Sequence, residues 1–369
     1  MPRGRFRPKW HAKGTAASAS TAAESRRRRN RPSHSVAKVD RAPPLSQDGQ
    51  MLVSRSAPNN TRQQARQPGR SSHMCRLLAY AAPRDTTVTK VIGDMNSDAF
   101  QRMTSVHNDG WGTAWLAAGF GETEREIESL RISTPGQNDP LLSTLLADAP
   151  SNARIVHLRL ATDDFKRTKV NTHPFVADGL AFAHNGSIVP TWRFDDLLRP
   201  EIRATVAGDT DSELYFGLVR QNVRDGLTLE DAAAAAVRVL RAEFPESSLN
   251  ATILSAHELV VVHASSTAHV TEETFARYGI DASTLPNGHT DEYYRLSMLR
   301  AADGTTVFSS TGIDTAGWTS VPEDTISRVD LDSLDFTQRA LFSSAAEARA
   351  SVSGAAAATA STQPRLVAV

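Results

Sequence analysis

The stretch Met74-Cys75-Arg76-Leu77-Leu78-Ala79-Tyr80 holds the only cysteine of the 369-residue chain, directly behind an internal methionine. One thiol excludes an internal disulfide and any cysteine-built zinc or iron–sulfur centre. Two readings remain, a small buried hydrophobe or a nucleophile. Position favours the second. If translation starts or processing ends at Met74, loss of that methionine makes Cys75 the first residue, with its α-amino group a few ångströms from its own sulfur. An α-amine has an ordinary pKa of about 8, so it can take a proton from a thiol near neutral pH. One residue then supplies both nucleophile and base. The apolar run Cys75–Ala81, ended by Pro83, reads as a buried strand carrying it.

The zero net charge hides two unlike parts. Residues 1–73 hold sixteen Lys/Arg and three Asp/Glu out of 41 of each in the chain, so they carry +13 and the remainder −13. They are rich in Arg, Ser, Ala and Pro around Arg26-Arg27-Arg28-Arg29 and keep no period of 2 or 3.6. That composition reads as a disordered basic extension. A nucleic-acid-binding arm, a transit peptide and sequence translated from too early a start would all share it. The chemistry of Cys75 requires the extension to be absent from the active protein. No apolar run approaches a membrane span, and no hydrophobic stretch follows the arginines as in a secretory signal. The expectation is a cytoplasmic protein with no membrane partner, one globular domain over 75–335, and an Ala/Ser-rich tail over 345–369.

Beyond Cys75 the chain offers separate signals. Asn108-Asp109-Gly110-Trp111-Gly112 reads as a tight turn entering a strand, with Gly112 open to close backbone approach and Trp111 expected to line a cleft. Strands are expected over 124–133 and 154–162, with a short amphipathic helix over 139–148 between them. Arg159 and Thr162 stand at the end of the second strand, where side chains can face a pocket. An arginine there can hold a carboxylate through paired hydrogen bonds, or form a surface ion pair. Leu180–Ile188 reads as a strand running into Asn185-Gly186. That pair is a hairpin turn on its own, and two hydrogen-bond donors for an oxyanion when it lies near a nucleophile. Gly208-Asp209-Thr210-Asp211-Ser212-Glu213 opens a helix, its acids serving as N-caps or holding an ammonium. Thr228-Leu229-Glu230-Asp231 resembles a capping box before a second helix over 232–244. Strands follow at 249–255, 258–264, 292–299, 305–310 and 325–330.

Taken in order, Met74-Cys75-Arg76, His157-Leu158-Arg159-Leu160-Ala161-Thr162, His184-Asn185-Gly186 and Asp209-Thr210-Asp211-Ser212-Glu213 resemble the class II glutamine amidotransferases, a family of N-terminal-nucleophile hydrolases. Asn108–Gly112 and Asn171-Thr172-His173-Pro174-Phe175 are similar to a stand-alone branch that includes the hydrolase of ergothioneine biosynthesis, which removes glutamate from a γ-glutamyl-cysteinyl intermediate. The resemblance implies an α+β fold, a four-layer αββα sandwich. It implies Cys75 as nucleophile with its freed amine as base, and Asn185 and Gly186 as the oxyanion pair. Arg159 would hold an α-carboxylate, Asp211 an α-ammonium, and Thr162 would support the pocket. Where many of these enzymes have His-Gly after the Ala-Thr, this chain has Asp163-Asp164, so no role for that histidine carries over.

The implied function is hydrolysis of a γ-glutamyl amide, glutamine or a γ-glutamyl-cysteinyl type, through a γ-glutamyl thioester, with no metal or other cofactor. One alternative is a glutaminase subunit that hands ammonia to a separate acceptor enzyme. Another is a catalytically silent scaffold whose basic arm binds nucleic acid, which would show as steeply salt-dependent binding.

Overall fold

Apolar side chains on both faces of a strand require cover on both sides, which places such a strand inside a layered molecule. The computed structural model describes residues 75–118, 125–161, 166–277, 279–281, 283, 285 and 292–343. The first half contains β1 (Arg76–Thr86), α1 (Val88–Ile92), α2 (Asp94–Arg102), β2 (Trp111–Ala118), β3 (Arg125–Ile132), α3 (Pro140–Ala147), β4 (Ser151–Leu158), β5 (Phe175–Ala177) and β6 (Leu180–Asn185). There follow α4 (Pro200–Arg203), α5 (Asp211–Arg224), α6 (Leu229–Glu243), β7 (Asn250–Leu254), β8 (Glu258–His263) and α7 (Glu272–Arg277). The last elements are β9 (Leu296–Arg300), β10 (Thr306–Ser310), β11 (Thr319–Ser320), β12 (Thr325–Asp330) and β13 (Phe336–Ala340).

Two antiparallel sheets result, one ordered β11-β9-β10-β1-β4-β2-β3 and the other β13-β12-β8-β7-β6-β5. Strand β1, which follows Cys75, is the middle strand of the larger sheet. Its odd residues Leu77, Ala79 and Ala81 pack against Ala181 and Ala183 of β6 in a core between the sheets. Its even residues Leu78 and Tyr80 pack with Val88, Phe100 and Leu142 of α1, α2 and α3 in a second core. A third core sets Phe182, Ile253 and Val262 against Leu214, Val219 and Val237 of α5 and α6. Helices, sheet, sheet and helices therefore form the four layers of an αββα sandwich, as expected. The seam between the sheets is lined by small side chains, Ala79, Ala81, Ala114, Ala153, Ala181 and Ala183, all fully buried. Small residues there let the two sheets approach closely.

Helix starts follow local chemistry. At α5 the cap is Thr210, whose hydroxyl accepts from Glu213 N at 3.3 Å, and not one of the neighbouring acids. Those acids occupy the first turn, where they complement the helix dipole. At α6 the cap half of the expected box forms, with Thr228 Oγ1 accepting from Asp231 N at 3.2 Å, while the Asp231 carboxylate accepts from the Thr228 hydroxyl at 2.9 Å. Two boundaries differ from the sequence reading. β1 does not end at Pro83 but runs to Thr86, its pairing with β4 shifting register between Ala81 and Thr86. The proline lies in that irregular stretch and costs no ladder bond. The domain also continues past 335, because β13 pairs with β12 and Leu341 is buried in the core under α6. The expected extension over 1–73 and tail over 345–369 lie outside the described residues. No helix among the described residues is long and apolar enough to cross a membrane.

Candidate active site

Strand periodicity decides which side chains share a face. Cys75 lies two residues before Leu77 and Asn185 two after Ala183, so both continue the face that looks between the sheets. Arg159, just past β4, keeps the phase of Ala153 and Ile155 on that same face. The three meet at one end of the inter-sheet gap. Cys75 N donates to Asn185 Oδ1 at 3.0 Å, and Cys75 Sγ lies 4.0 Å from the Leu160 carbonyl oxygen. Cys75 and Arg159 are 2% exposed, and Asn185 and Asp211 are fully buried.

Two donors in this cluster are left over. Asn185 Oδ1 is occupied by Cys75 N, while its Nδ2 is buried with no hydrogen-bond partner among the described residues. Arg159 Nη1 donates to Asp109 O at 3.4 Å, while its Nη2 is buried with no such partner. Buried polar groups are seldom left unmatched, at a cost of about 1–3 kcal/mol each. Two such donors beside one thiol describe a place prepared for acceptor atoms.

The surrounding backbone is tightly fixed. Asp109 N donates to Arg159 O at 3.0 Å and Arg159 N to Gly110 O at 2.9 Å, so Asn108–Gly110 runs alongside the arginine. Asp109 Oδ2 accepts from Ala161 N at 2.8 Å, and Oδ1 lies 2.6 Å from Arg167 Nε. Gly112 has the expected close neighbour, since a Cβ there would run into the His173 carbonyl oxygen.

Asn185-Gly186 is not a hairpin turn, because β6 leaves the sheet there and runs on to Pro190 and a short 3₁₀ turn over 191–196. Glycine is required for a different reason: a Cβ at 186 would collide with the Ser248 carbonyl oxygen. His184 holds that carbonyl with Nε2 at 2.9 Å, and its Nδ1 lies 2.9 Å from Ser212 Oγ. A carbonyl only accepts, so His184 carries a proton on Nε2. Ser248 Oγ donates to Asn185 O at 2.8 Å, closing the loop. Asp211 ties the far end, accepting from Ile188 N at 2.6 Å and from Ser212 N at 2.8 Å.

Burial pushes the Cys75 thiol up to about 11, against the pull of the Arg159 and Arg76 charges, with the Asp211 carboxylate adding to the rise. Burial also lowers Arg159, opposed by Cys75, Asp109 and Asp211. These mutual effects place Cys75, Arg159 and Asp211 in one electrostatic neighbourhood.

Of the expected site residues, Cys75, Arg159, Asn185, Gly186 and Asp211 are brought together. Thr162 lies outside the described residues. Trp111 is a correction: it does not wall a cleft at Cys75. Its indole is fully buried in the core between the larger sheet and the helices, and its Nε1 donates to Asp139 Oδ2 at 3.1 Å.

A group that the sequence did not reveal grips Cys75 from its carbonyl side. Tyr293 O–H donates to Cys75 O at 3.3 Å. The Arg76 guanidinium stacks 3.8 Å from the Tyr293 ring centroid and donates through Nη1 to Tyr293 O at 3.2 Å. His107 Nε2 lies 3.3 Å from the tyrosine oxygen and Nδ1 3.0 Å from Met103 O. Burial, and then the Arg76 charge, hold His107 well below its ordinary pKa, so the ring is neutral. The available signal was Arg76 itself: a charge inside an apolar strand must find a partner.

The family described as glutamine amidotransferases class-II matches residues 74–282. A probable glutamine amidotransferase of Saccharomyces cerevisiae, DUG3, is 27% identical over 157 residues, 42% of each chain. Glutamine–fructose-6-phosphate aminotransferase (isomerizing) of Escherichia coli is 33% identical over 93 residues, 24% of this chain and 14% of that enzyme. The match thus spans less than half the length of these curated relatives. Among solved structures, a glutamine aminotransferase class-II domain protein from Silicibacter pomeroyi aligns with 72% of this chain and 99% of its own, at 19% identity and a TM-score of 0.46. Glutamine phosphoribosylpyrophosphate amidotransferase from B. subtilis aligns with 73% of this chain and 50% of its own, at 16% identity and a TM-score of 0.47.

Proposed function

The chain belongs to the class II glutamine amidotransferases, and from that premise we propose that it hydrolyses γ-glutamyl amides, with Cys75 as nucleophile, through a γ-glutamyl thioester. The observation that carries the reading is Asn185, one of whose amide atoms holds the Cys75 nitrogen while the other is a buried donor with nothing to bond. A γ-glutamyl group brings acceptors for the two unmatched donors of this cluster and a cation for its carboxylate. Its α-carboxylate suits Arg159 Nη2, its α-ammonium suits the Asp211 carboxylate, and its amide oxygen suits Asn185 Nδ2.

The chemistry requires Cys75 to be the first residue. With Met74 attached, the Cys75 nitrogen is an amide and accepts no proton. Once free, the amine takes the thiol proton and Sγ attacks the γ-carbonyl carbon. The oxygen then carries the negative charge, met by Asn185 Nδ2 and the Gly186 N–H. Collapse breaks the C–N bond as the ammonium returns its proton to the departing nitrogen, leaving a thioester. The amine next takes a proton from water, whose oxygen attacks the thioester carbon, and glutamate leaves as the thiol is restored. Loss of one oxyanion donor in a comparable hydrolase raises the barrier by about 3 kcal/mol. We place the protein in the cytoplasm, with the leaving group a γ-linked amine larger than ammonia.

The test uses protein that starts at Cys75. Hydroxylamine added during turnover of glutamine or γ-glutamylalanine should divert a thioester to γ-glutamyl hydroxamate, in the same proportion for both substrates. Glutamate release without hydroxamate would overturn the thioester. Turnover of glutamine without any of γ-glutamylalanine would leave an ammonia-donating glutaminase.

A further inference from the structure

Past Gly186 the chain turns away from the sheet and leaves a cleft of about 300 Å³. Ser187, Pro190, Phe244, Ser247, His269 and Tyr294 are among the residues that line it. Two of them are direct chain neighbours of groups at the nucleophile. Ser187 follows Gly186, and Tyr294 follows Tyr293, whose hydroxyl bonds Cys75 O. A third link crosses the sheet: Asn250, paired opposite Asn185, donates through Nδ2 to Tyr294 O at 2.6 Å. Ser248, whose carbonyl abuts Gly186, also lines the cleft. The cleft therefore adjoins the Asn185-Gly186 pair, through Ser187 next in the chain and Ser248, which bonds Asn185 O.

Ammonia, about the size of a water at ~30 Å³, would fill only a tenth of this space. The volume sits at the small end of ligand pockets, enough for an amino acid or dipeptide. The lining is peptide-like in its needs. Phe244, Pro190 and Tyr294 offer apolar and aromatic surface, while Ser187 and Ser247 offer hydroxyls. The Ser187 hydroxyl oxygen is shielded from solvent and has no hydrogen-bond partner among the described residues. Arg193, at the edge, is already committed: Nη1 donates to Glu243 O at 2.6 Å and Nη2 pairs with the Glu243 carboxylate. Recognition here rests on shape and hydrogen bonding more than on a free cation.

We infer that this cleft is the leaving-amine subsite, and that it takes an amino acid or short peptide joined through its nitrogen to the γ-glutamyl group. The inference rests on the γ-glutamyl reading above. It replaces Trp111, which is buried elsewhere, as the surface that distinguishes a γ-glutamyl peptide from glutamine. With Arg159 and Asp211 holding the amino-acid end, a larger leaving group would pass the Asn185-Gly186 pair, beyond which Ser187 and Ser248 line the cleft.

A second cleft, of about 470 Å³, is the competing candidate, because Tyr293 itself lines it. It shares His269 and Tyr294 with the first, whereas Ser320 lines the second cleft alone. The experiment compares kcat/KM for glutamine, γ-glutamylalanine and γ-glutamyl-alanyl-glycine in protein starting at Cys75. Ser247→Trp, which fills the first cleft, should lower the γ-glutamylalanine to glutamine ratio about tenfold or more, and the tripeptide ratio further. Ser187→Ala, which removes a hydroxyl without adding bulk, should lower the same ratio about threefold to tenfold. Ser320→Trp, in the second cleft, should change no ratio. If wild type cleaves the γ-glutamyl peptides and neither first-cleft variant shifts the ratio, the subsite assignment is wrong. A shift with Ser320→Trp instead would move the subsite to the second cleft. If wild type ignores the peptides but consumes glutamine, the γ-glutamyl peptide reading itself fails.

Discussion

Freeing the Cys75 amine should transform the pH dependence of the enzyme. The perturbation is one peptide bond: a chain that keeps residues 1–74 is compared with one released at Cys75. In the longer form the thiol is buried and pushed up to about 11, and its partner, the Leu160 carbonyl, cannot accept a proton. At pH 7.5 only about one thiol in 3,000 would be thiolate, a fraction that rises tenfold per pH unit. The released form holds a base with an ordinary pKa of about 8, so its rate should climb with pH and level off just above that value. The gap should therefore be about a thousandfold at pH 7.5 and close steadily toward pH 11. The assay is kcat/KM for glutamate release from pH 6 to 10, on two proteins whose first residues are verified by intact mass. Equal activity at pH 7.5, or two profiles that run parallel, would mean that the amine is not the proton acceptor.

Asn185→Ala removes both the acceptor for the Cys75 nitrogen and the unmatched donor, so kcat should fall about 10²–10³-fold with little change in KM; a loss confined to KM would refute the oxyanion role. Arg159→Lys keeps the charge but not the planar fork, and should weaken kcat/KM about tenfold or more; an unchanged value would remove the carboxylate clamp. Asp211→Asn should harm substrates bearing an α-ammonium far more than analogues lacking it. Equal losses would mean that only its tether to Ile188 N matters. Tyr293→Phe deletes the bond to the Cys75 carbonyl and should lower kcat about threefold to tenfold at constant KM. A thermal midpoint shift with kcat intact would assign the tyrosine to packing alone.

Much of the site was legible because its parts are local. Cys75, Arg159, Asn185 and Asp211 each stand at the end of a recognisable strand or the start of a recognisable helix, and a period of two is enough to set three of them on one face. Trp111 was misread for the same local reason. Flanking glycines marked it as unusual, but alternation alone does not say which face of β2 looks between the sheets and which looks toward the helices. Gly186 was expected to make a turn and instead makes room for Ser248, a residue more than sixty positions away. The Arg76–Tyr293 pair spans 217 positions, so no window of sequence contains it. β13 escaped notice because it is an edge strand whose Thr337 and Gln338 face solvent, which leaves little apolar alternation to read.

Chain ends usually fray, and hydrogen exchange finds them among the least protected parts of a protein. Here the proposed first residue leads straight into the central strand of a seven-stranded sheet, bonded to β4 on one side and β10 on the other. The amides of Leu77–Ala81 should then be among the slowest in the molecule to exchange, opening only when the whole domain opens. The reactive group would borrow its positional precision from global stability, so a mutation anywhere that loosens the domain would loosen the nucleophile in the same proportion.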